Sequence, residues 1–477
     1  MIQSAHLWVY ELIVSDTKWA ALQNTAGKSK YKALAQAIRD GIGSGDLEKG
    51  AQLPPVRELA YRLGITPGTV ARAYTLLTEE GRLIAEVGRG TFVAGASHRV
   101  QQDSPPIFEP VDEGIADFRS ARVPDVGQGL LIDEALIRLG KSHRRLNIDY
   151  PTAATDREAR QAVVDWIGPV RVGGLDTDHI VLGHGAQNCV VLALQAELHG
   201  ARPVILTDEL AYPGVRHAAR LLRADLVGVP MDEHGIIPAA LAETYRTHGG
   251  QVLLTAAEVH SPTTTQTGYA RKKEIAAVAE RYGLMIIEDD CHTIAPTDVP
   301  AYRAILPRQS YYVSSLTKSV SGALRFGYAA TPLGRSKGMH EVAQNSFHGL
   351  AQPILDVCAD LLSSGVAAEI RSEVIRYMAE RVRLAVNRLG GWDLRWREEV
   401  PFVWLQLPTG WRVSSFALAC AQKGISVRPA DQFALAGQPA PNAVRLAVTT
   451  CVREARYLQA LDDMNALLAN PARVVES

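Results

Sequence analysis

Lys318 closes the stretch Ser314-Ser315-Leu316-Thr317-Lys318, directly behind the apolar run Tyr311-Tyr312-Val313, and Arg325 follows one loop downstream. An amine held at the C-terminal end of a buried strand loses hydration, so its pKa falls and it becomes nucleophilic toward a carbonyl carbon. The neighbouring hydroxyls and the Arg325 guanidinium are donors suited to a phosphate. Together they are what a Schiff base to pyridoxal phosphate requires.

Three upstream features bear on the same chemistry. Gly183-His184-Gly185-Ala186-Gln187-Asn188 follows the strand ending at Leu182 and opens an apolar helix, Cys189 to Leu198. Small residues there expose backbone N–H groups and a helix dipole to a phosphate, although a plain strand-to-helix turn has the same composition. Glu288-Asp289-Asp290 ends the strand that begins at Leu284, and a carboxylate in that place can keep a pyridinium nitrogen protonated. Without a lysine downstream it would read as a solvated acidic turn. Phosphate loop, Tyr212, Asp289, Lys318 and Arg325 follow one another in an order that chance does not readily supply.

The elements that must position these residues are legible from pattern. At 477 residues the chain exceeds one core, so a small and a large domain are expected. A net charge of −1 with 21% charged residues excludes a broadly basic coat and a disordered acidic tail. Any nucleic-acid contact must come from a local patch, and Lys28, Lys30, Lys32, Arg39, Lys49, Arg57, Arg62, Arg72, Arg82 and Arg89 supply one. Cys189, Cys291, Cys358, Cys420 and Cys451 show no CxxC spacing, which argues against a disulfide framework and a zinc site; no metal is expected. No apolar run reaches the roughly 18 residues of a membrane span, and Met1 to Asp16 lacks the apolar core of a signal peptide. The expected location is cytoplasmic, at the nucleoid.

Leu34, Ala37, Ile38 and Ile42 recur at helical spacing before Gly43 to Gly50 breaks the pattern. A short helix from Val56 to Leu63 follows Pro54-Pro55, Gly64 permits a tight turn, and Thr66 caps a third helix with Pro67 at its first position. Leu83 to Val87 and Thr91 to Val93 then read as two strands joined by the basic tip Gly88-Arg89-Gly90, a wing. The expected division is a winged helix-turn-helix over 27–95, a linker over 96–115 and an effector domain over 116–470. In that last part His179–Leu182, Val204–Leu206, Val252–Leu254, Leu284–Ile287 and Tyr311–Val313 alternate with helical runs, which predicts an α/β fold with an open, largely parallel sheet. Ligands then belong at the strands' C-terminal ends. From about Ser346 to Leu468 helices dominate, with a few strands, as in a smaller lobe.

Residues from about Ala116 to Leu468 resemble a fold-type I aminotransferase domain. Residues Tyr31 to Val93 resemble a GntR-type winged helix in Gly50-Ala51-Gln52-Leu53-Pro54-Pro55-Val56-Arg57-Glu58-Leu59-Ala60, Thr69-Val70-Ala71-Arg72-Ala73-Tyr74 and Gly88-Arg89-Gly90-Thr91-Phe92-Val93. Their fusion resembles the MocR/GabR family of pyridoxal-phosphate-dependent bacterial transcription regulators. The resemblance implies a Schiff base on Lys318, a ring-nitrogen contact from Asp289 and stacking by Tyr212. It implies a phosphate site of Gly185, Ala186, Gln187, Ser315 and Arg325, with Tyr150 reaching in from the other subunit of a homodimer. Arg445 matches the arginine that grips an effector carboxylate, although a surface arginine behind a loop reads the same way. On DNA, Arg57, Thr66, Thr69, Arg72, Gly88 and Arg89 are implied, with Pro67-Gly68 giving less direct base readout than relatives that have polar residues there.

Two departures qualify the resemblance. His260-Ser261-Pro262 stands where aminotransferases place Asn-Pro, and Cys291-His292 stands where a tyrosine usually follows the aspartate. Ser261 replaces one hydrogen bond to the cofactor; Cys291 is a poor donor, and His292 is either a cofactor contact or a turn histidine. At most weak or partial transaminase chemistry is expected. The reading is a regulator that binds promoter DNA and senses an amine, an amino acid or pyridoxal phosphate. The alternatives are an active aminotransferase with an accessory DNA-binding domain, and a regulator whose large domain has lost the cofactor.

Overall fold

The computed structural model describes residues 30–44, 46–48, 50–79, 82–86, 90–93, 114–141, 150–152, 154–435, 438–450 and 452–471. The chain divides into two compact units, residues 1–103 and 104–477.

In the first unit, α1 (Lys30–Ser44), α2 (Val56–Leu63) and α3 (Pro67–Glu79) pack around Leu34, Ile38, Leu59, Leu63, Val70 and Leu77. The buried stripe of α1 is Leu34, Ala35, Ile38 and Gly41, whereas Ala37 and Ile42 are only half-buried. Gly41 belongs to it because Leu47 folds back so closely that a Cβ there would lie 3.1 Å from its side chain. Gly64 ends α2 in the left-handed region at φ +62°, the conformation that favours glycine and makes the turn into α3. Thr66 caps α3, its Oγ1 accepting from the Thr69 N–H at 3.3 Å. Strands β2 (Leu83–Glu86) and β3 (Gly90–Val93) form the wing, and β3 pairs on its other side with β1 (Gln52–Leu53), a strand too short to leave a sequence pattern.

The second unit opens with β4 (Ala116–Asp117), and its large sheet takes in β5 (Ile180–Gly183), β6 (Val204–Asp208) and β7 (Asp225–Val229). After the hairpin β8 (Met231–Asp232) and β9 (Gly235–Ile236) come β10 (Val252–Thr255), β11 (Met285–Asp289), β12 (Ser310–Ser315) and β13 (Gly327–Ala330). The sheet order is β5-β13-β12-β11-β10-β6-β7. All pairs are parallel except those of β13, which runs against both neighbours. The expected sheet is therefore present with two additions, β7 and β13. Gly-Tyr-Ala-Ala in β13 lacks the β-branched residues that mark a strand, and β7 lies half-buried at an edge.

Both faces are covered, and side chains alternate between two cores. Val252, Leu254, Met285 and Ile287 face α4 (Ala186–Glu197), whose Val190 and Leu194 join them; Leu253 and Ile286 pack with Ile275 and Ala279 of the helix Tyr269–Tyr282. The C-terminal lobe adds an antiparallel sheet, β14 (Leu394–Arg395), β15 (Phe402–Gln406), β18 (Ala443–Ala447) and β17 (Arg428–Pro429), in that order. Strand β16 (Ile425–Ser426) pairs in parallel with β4, which ties the start of the unit to this lobe. The sequence pattern did not foresee that link.

Leu34 is fully buried in a core that contains only residues of the first unit. Leu34→Ala is expected to destabilise that unit by roughly 2–5 kcal/mol. Amide exchange should accelerate in α1–α3 and stay unchanged in β10–β12; equal acceleration in both would contradict separate cores.

Candidate functional site

Strands β5, β11 and β12 end on one edge of the sheet, where a cavity of about 570 Å³ is lined by Lys318, Asp289 and Tyr212. A larger cavity lies elsewhere, beside Asp156, Arg160 and His340, away from these groups. Ala186, Gln187, Ser315, Arg325 and His292 complete the walls with Arg122, Arg428 and Arg445.

The phosphate-loop candidate lies close against β13. Gly185 has φ +83°, and a Cβ on it would come within 2.9 Å of the Arg325 guanidinium. A Cβ on Gly327 would meet the Gly185 backbone at 2.3 Å, so both positions need glycine. Arg325, exposed at the rim, donates to the His184 carbonyl at 2.8 Å and so closes the loop. Ala186 begins α4, and its helix N-terminus faces the cavity. Gln187 donates to the Gly214 carbonyl at 2.9 Å, which joins the loop to α5 (Pro213–Leu221), the helix that Tyr212 precedes.

The three acids that end β11 part company. Glu288 pairs with Lys272 at 3.0 Å and Asp290 with Arg171 at 2.9 Å, both in a buried charge network behind the sheet edge. Asp289 alone faces the cavity, and no Lys, Arg or His among the described residues pairs with it. Burial pushes its carboxyl up to about 6, although the Cys291 amide donates to Oδ1 at 3.3 Å and pulls the other way. A carboxylate so enclosed favours a cationic partner. The Lys318 amine shares the cavity and donates to the Ala121 carbonyl. Burial lowers its pKa first, and the nearby Arg445, Arg122 and Arg325 cations lower it further.

The remaining candidates separate. His292 lines the cavity edge-on to Phe402, its Nδ1 3.6 Å from the Cys291 Sγ, and burial holds its imidazole well below the usual range. Ser261 is buried with its hydroxyl accepting from Arg445 Nη1 at 3.0 Å, so its visible partner is the arginine. Tyr150 is exposed, edge-on to His348, and is not brought to the cavity of its own chain. Sequence reading passed over Ala121, Arg122 and Arg428. An arginine ending the alternating run Ile425-Ser426-Val427-Arg428 was the available signal for the last.

In the first unit Arg57 and Arg72 are exposed and Thr66 and Thr69 sit together at the start of α3, their hydroxyls 2.9 Å apart. Arg72 lies over the Tyr31 ring at 4.4 Å. Gly88 and Arg89 lie outside the described residues.

A winged helix joined to an aminotransferase fold with a lysine and an aspartate at its sheet edge defines a class of regulator. The family described as "Bacterial regulatory proteins, gntR family" matches residues 30–93, and "Aminotransferase class I and II" matches residues 126–463. The chain is 27% identical to the uncharacterized HTH-type transcriptional regulator YdeF of Bacillus subtilis, over 90% of this chain and 92% of that one. It is 25% identical to the HTH-type transcriptional regulator TauR of Rhodobacter capsulatus, over 87% and 92%. An archaeal alanine:glyoxylate aminotransferase superposes with a TM-score of 0.67 at 18% identity, over 74% of this chain and 91% of that one. The chain belongs to the class I and II aminotransferase family and, with its GntR module, to the MocR/GabR group of helix-turn-helix transcription regulators.

The raised Asp289 pKa carries a stability consequence for the protein without cofactor. Between the unfolded carboxyl value and about 6 the folded chain binds the extra proton, so stability falls as pH rises through that window. Asp289→Asn removes the penalty and is expected to stabilise the cofactor-free protein at pH 7.5 by roughly 1–3 kcal/mol. Thermal melts at pH 4.5 and 7.5 measure it; a variant less stable than the parent at pH 7.5 would contradict the assignment.

Proposed function

We propose that the second unit holds pyridoxal phosphate on Lys318 and senses an amino compound, or pyridoxal phosphate itself, and that this binding biases how a homodimer engages promoter DNA. The observation that carries the reading is the placement, across one cavity, of a lysine amine with lowered pKa and an enclosed carboxylate that forms an ion pair with no cation among the described residues. When bound, the cofactor supplies an aldehyde for exchange with amines and an electron-withdrawing ring.

The residues fit that group. Asp289 would hold the proton of a ring nitrogen, and Tyr212 would flank the ring. The Ala186 helix end, Ser315 and Arg325 would take the phosphate, with Tyr150 completing the site from a second copy. Arg445 would receive an effector carboxylate. A relative 24% identical, the pyridoxine biosynthesis regulator PdxR of Corynebacterium glutamicum, supports a vitamin B6 compound as one candidate effector.

A route for the signal lies in the hydrogen bond from Lys318 to Ala121. Residues 116–123 run from the cavity to β4, which pairs with β16 of the C-terminal lobe. An amine that takes the place of the Lys318 side chain would release Nζ and change the load on that segment. Ligand and DNA affinity are then coupled reciprocally.

Lys318→Ala is expected to abolish the visible absorbance band formed with pyridoxal phosphate and to remove any effect of amines on promoter binding, while basal DNA affinity is kept. A promoter response equal to that of the parent would overturn the sensing mechanism. Steady keto acid production without promoter binding would favour the aminotransferase alternative. On the DNA side, Arg57→Ala is expected to weaken operator binding and to reduce the slope of log affinity against log salt by about 1. An unchanged slope would remove Arg57 from the phosphate contacts.

A further inference from the structure

On the face of the large sheet turned away from α4 lies a smaller recess, of about 170 Å³. Strand β12 brings Tyr312 and Ser314 to it on alternate residues, β13 brings Tyr328 alongside, and the helix α6 (Val366–Leu389) contributes Arg371. It shares one wall residue, Ser315, with the cavity that Lys318 lines.

Arg371 is half-buried there, and nothing in the wall answers its charge. Its guanidinium lies over the Trp166 ring at 4.0 Å, and among the described residues it makes no hydrogen bond and no ion pair. Stacking covers a face of the group and leaves the N–H donors in its plane open to an acceptor. The groups that act on its charge through space are the phenols of Tyr328 and Tyr312. Burial pushes both up, Tyr328 to about 12, so they stay neutral. The carboxylate on the same wall is already engaged: Asp290 pairs with Arg171 at 2.9 Å and accepts from the Thr293 hydroxyl at 2.6 Å. Glu258 and Glu288 lie against Arg171 and Lys272. A second donor lines the recess without an acceptor. Ser319 is 6% exposed, and its hydroxyl has no hydrogen-bond partner among the described residues.

A cation with open donors inside a recess attracts an anion more strongly than one on the open surface, where solvent and salt screen it. The volume falls below the roughly 300–1,000 Å³ of pockets that enclose drug-sized molecules, so the occupant is the size of an ion or of one group of a larger molecule. We propose that Arg371 and the Ser319 hydroxyl hold a tetrahedral oxyanion of the phosphate kind in this recess. The planar guanidinium offers two parallel N–H donors to such an ion, and the hydroxyl adds a third. Ser319 follows Lys318 in the chain, so the ion braces from behind the segment that carries the amine. The site is separate from the one given above to the cofactor's phosphate and stands whether or not that reading holds.

The test uses the full-length chain supplied with pyridoxal phosphate, in phosphate-free buffer at constant ionic strength, titrated with inorganic phosphate and with glycerol 3-phosphate in a calorimeter. Arg371→Gln is expected to weaken binding at least about tenfold, as loss of charge-assisted contacts implies, and Arg371→Lys should keep part of it. Ser319→Ala should cost about threefold. Thermal melts establish that each variant is folded. Amide exchange over residues 314–320 is expected to slow when phosphate is added to the parent and to stay unchanged in Arg371→Gln. Inorganic phosphate binding as tightly as the ester assigns the recess to the free ion; tighter binding of the ester assigns it to the phosphate end of a larger molecule, and either result upholds the oxyanion site. No heat with either compound overturns the proposal, as does an affinity unchanged in Arg371→Gln. Slowed exchange confined to residues 183–188 would place the ion on the loop before α4 and overturn it as well. The visible band is recorded on the same samples; its absence would count against the cofactor reading alone, because the recess is read from the heats and the exchange.

Discussion

An enclosed carboxylate that forms an ion pair with no cation among the described residues shares one cavity with an enclosed amine surrounded by arginines, and the rest of the second unit exists in a form that keeps them so. Asp289 remains unneutralised because its neighbours are committed elsewhere: Glu288 to Lys272 and Asp290 to Arg171. Those buried pairs fix the end of β11, and breaking either by removing one partner would leave a charge stranded in the interior. Lys318 is held by the Ala121 carbonyl, and the arginines around it favour its neutral form. In the proposed reading each group meets chemistry that the chain's own side chains do not supply, a protonated ring nitrogen for one and an aldehyde for the other.

The same placement explains why a scaffold built for amine chemistry suits regulation. Segment 116–123 accepts a hydrogen bond from Lys318 at Ala121 and pairs with the C-terminal lobe through β4, which in the proposed reading lets the occupancy of one amine bear on the packing of that lobe. Ser261 and Cys291 stand where the aminotransferase pattern has an asparagine and a tyrosine. The Ser261 hydroxyl accepts from Arg445 and keeps its own proton to donate, while the Cys291 thiol, driven well above its usual range by burial, is a weak donor beside a tyrosine hydroxyl.

Much of this was legible in the sequence because the chemistry sits where local patterns break. Apolar runs ending in Asp289 and in Ser315 announced strand ends, and Pro67 behind Thr66 announced a helix start; each follows from short-range rules. What the sequence hid depends on long-range contact. Strand β13 was missed because glycine and alanine carry little strand propensity, yet Gly327 is small so that Gly185 can lie against it. Arg428 was missed because its place on the cavity wall opposite Arg445 follows from the β17–β18 pairing, and the hydrogen bond from Arg445 to Ser261 was hidden because it joins residues far apart in the chain. Tyr150, which the resemblance assigns to the site of a second copy, lies outside the cavity of its own chain.

The most direct measurement is borohydride reduction of the protein supplied with pyridoxal phosphate, followed by peptide mapping by mass spectrometry. The account predicts a phosphopyridoxyl group fixed to Lys318, and less of it when a competing amine is present before reduction. Label on other lysines with Lys318 unmodified would contradict it.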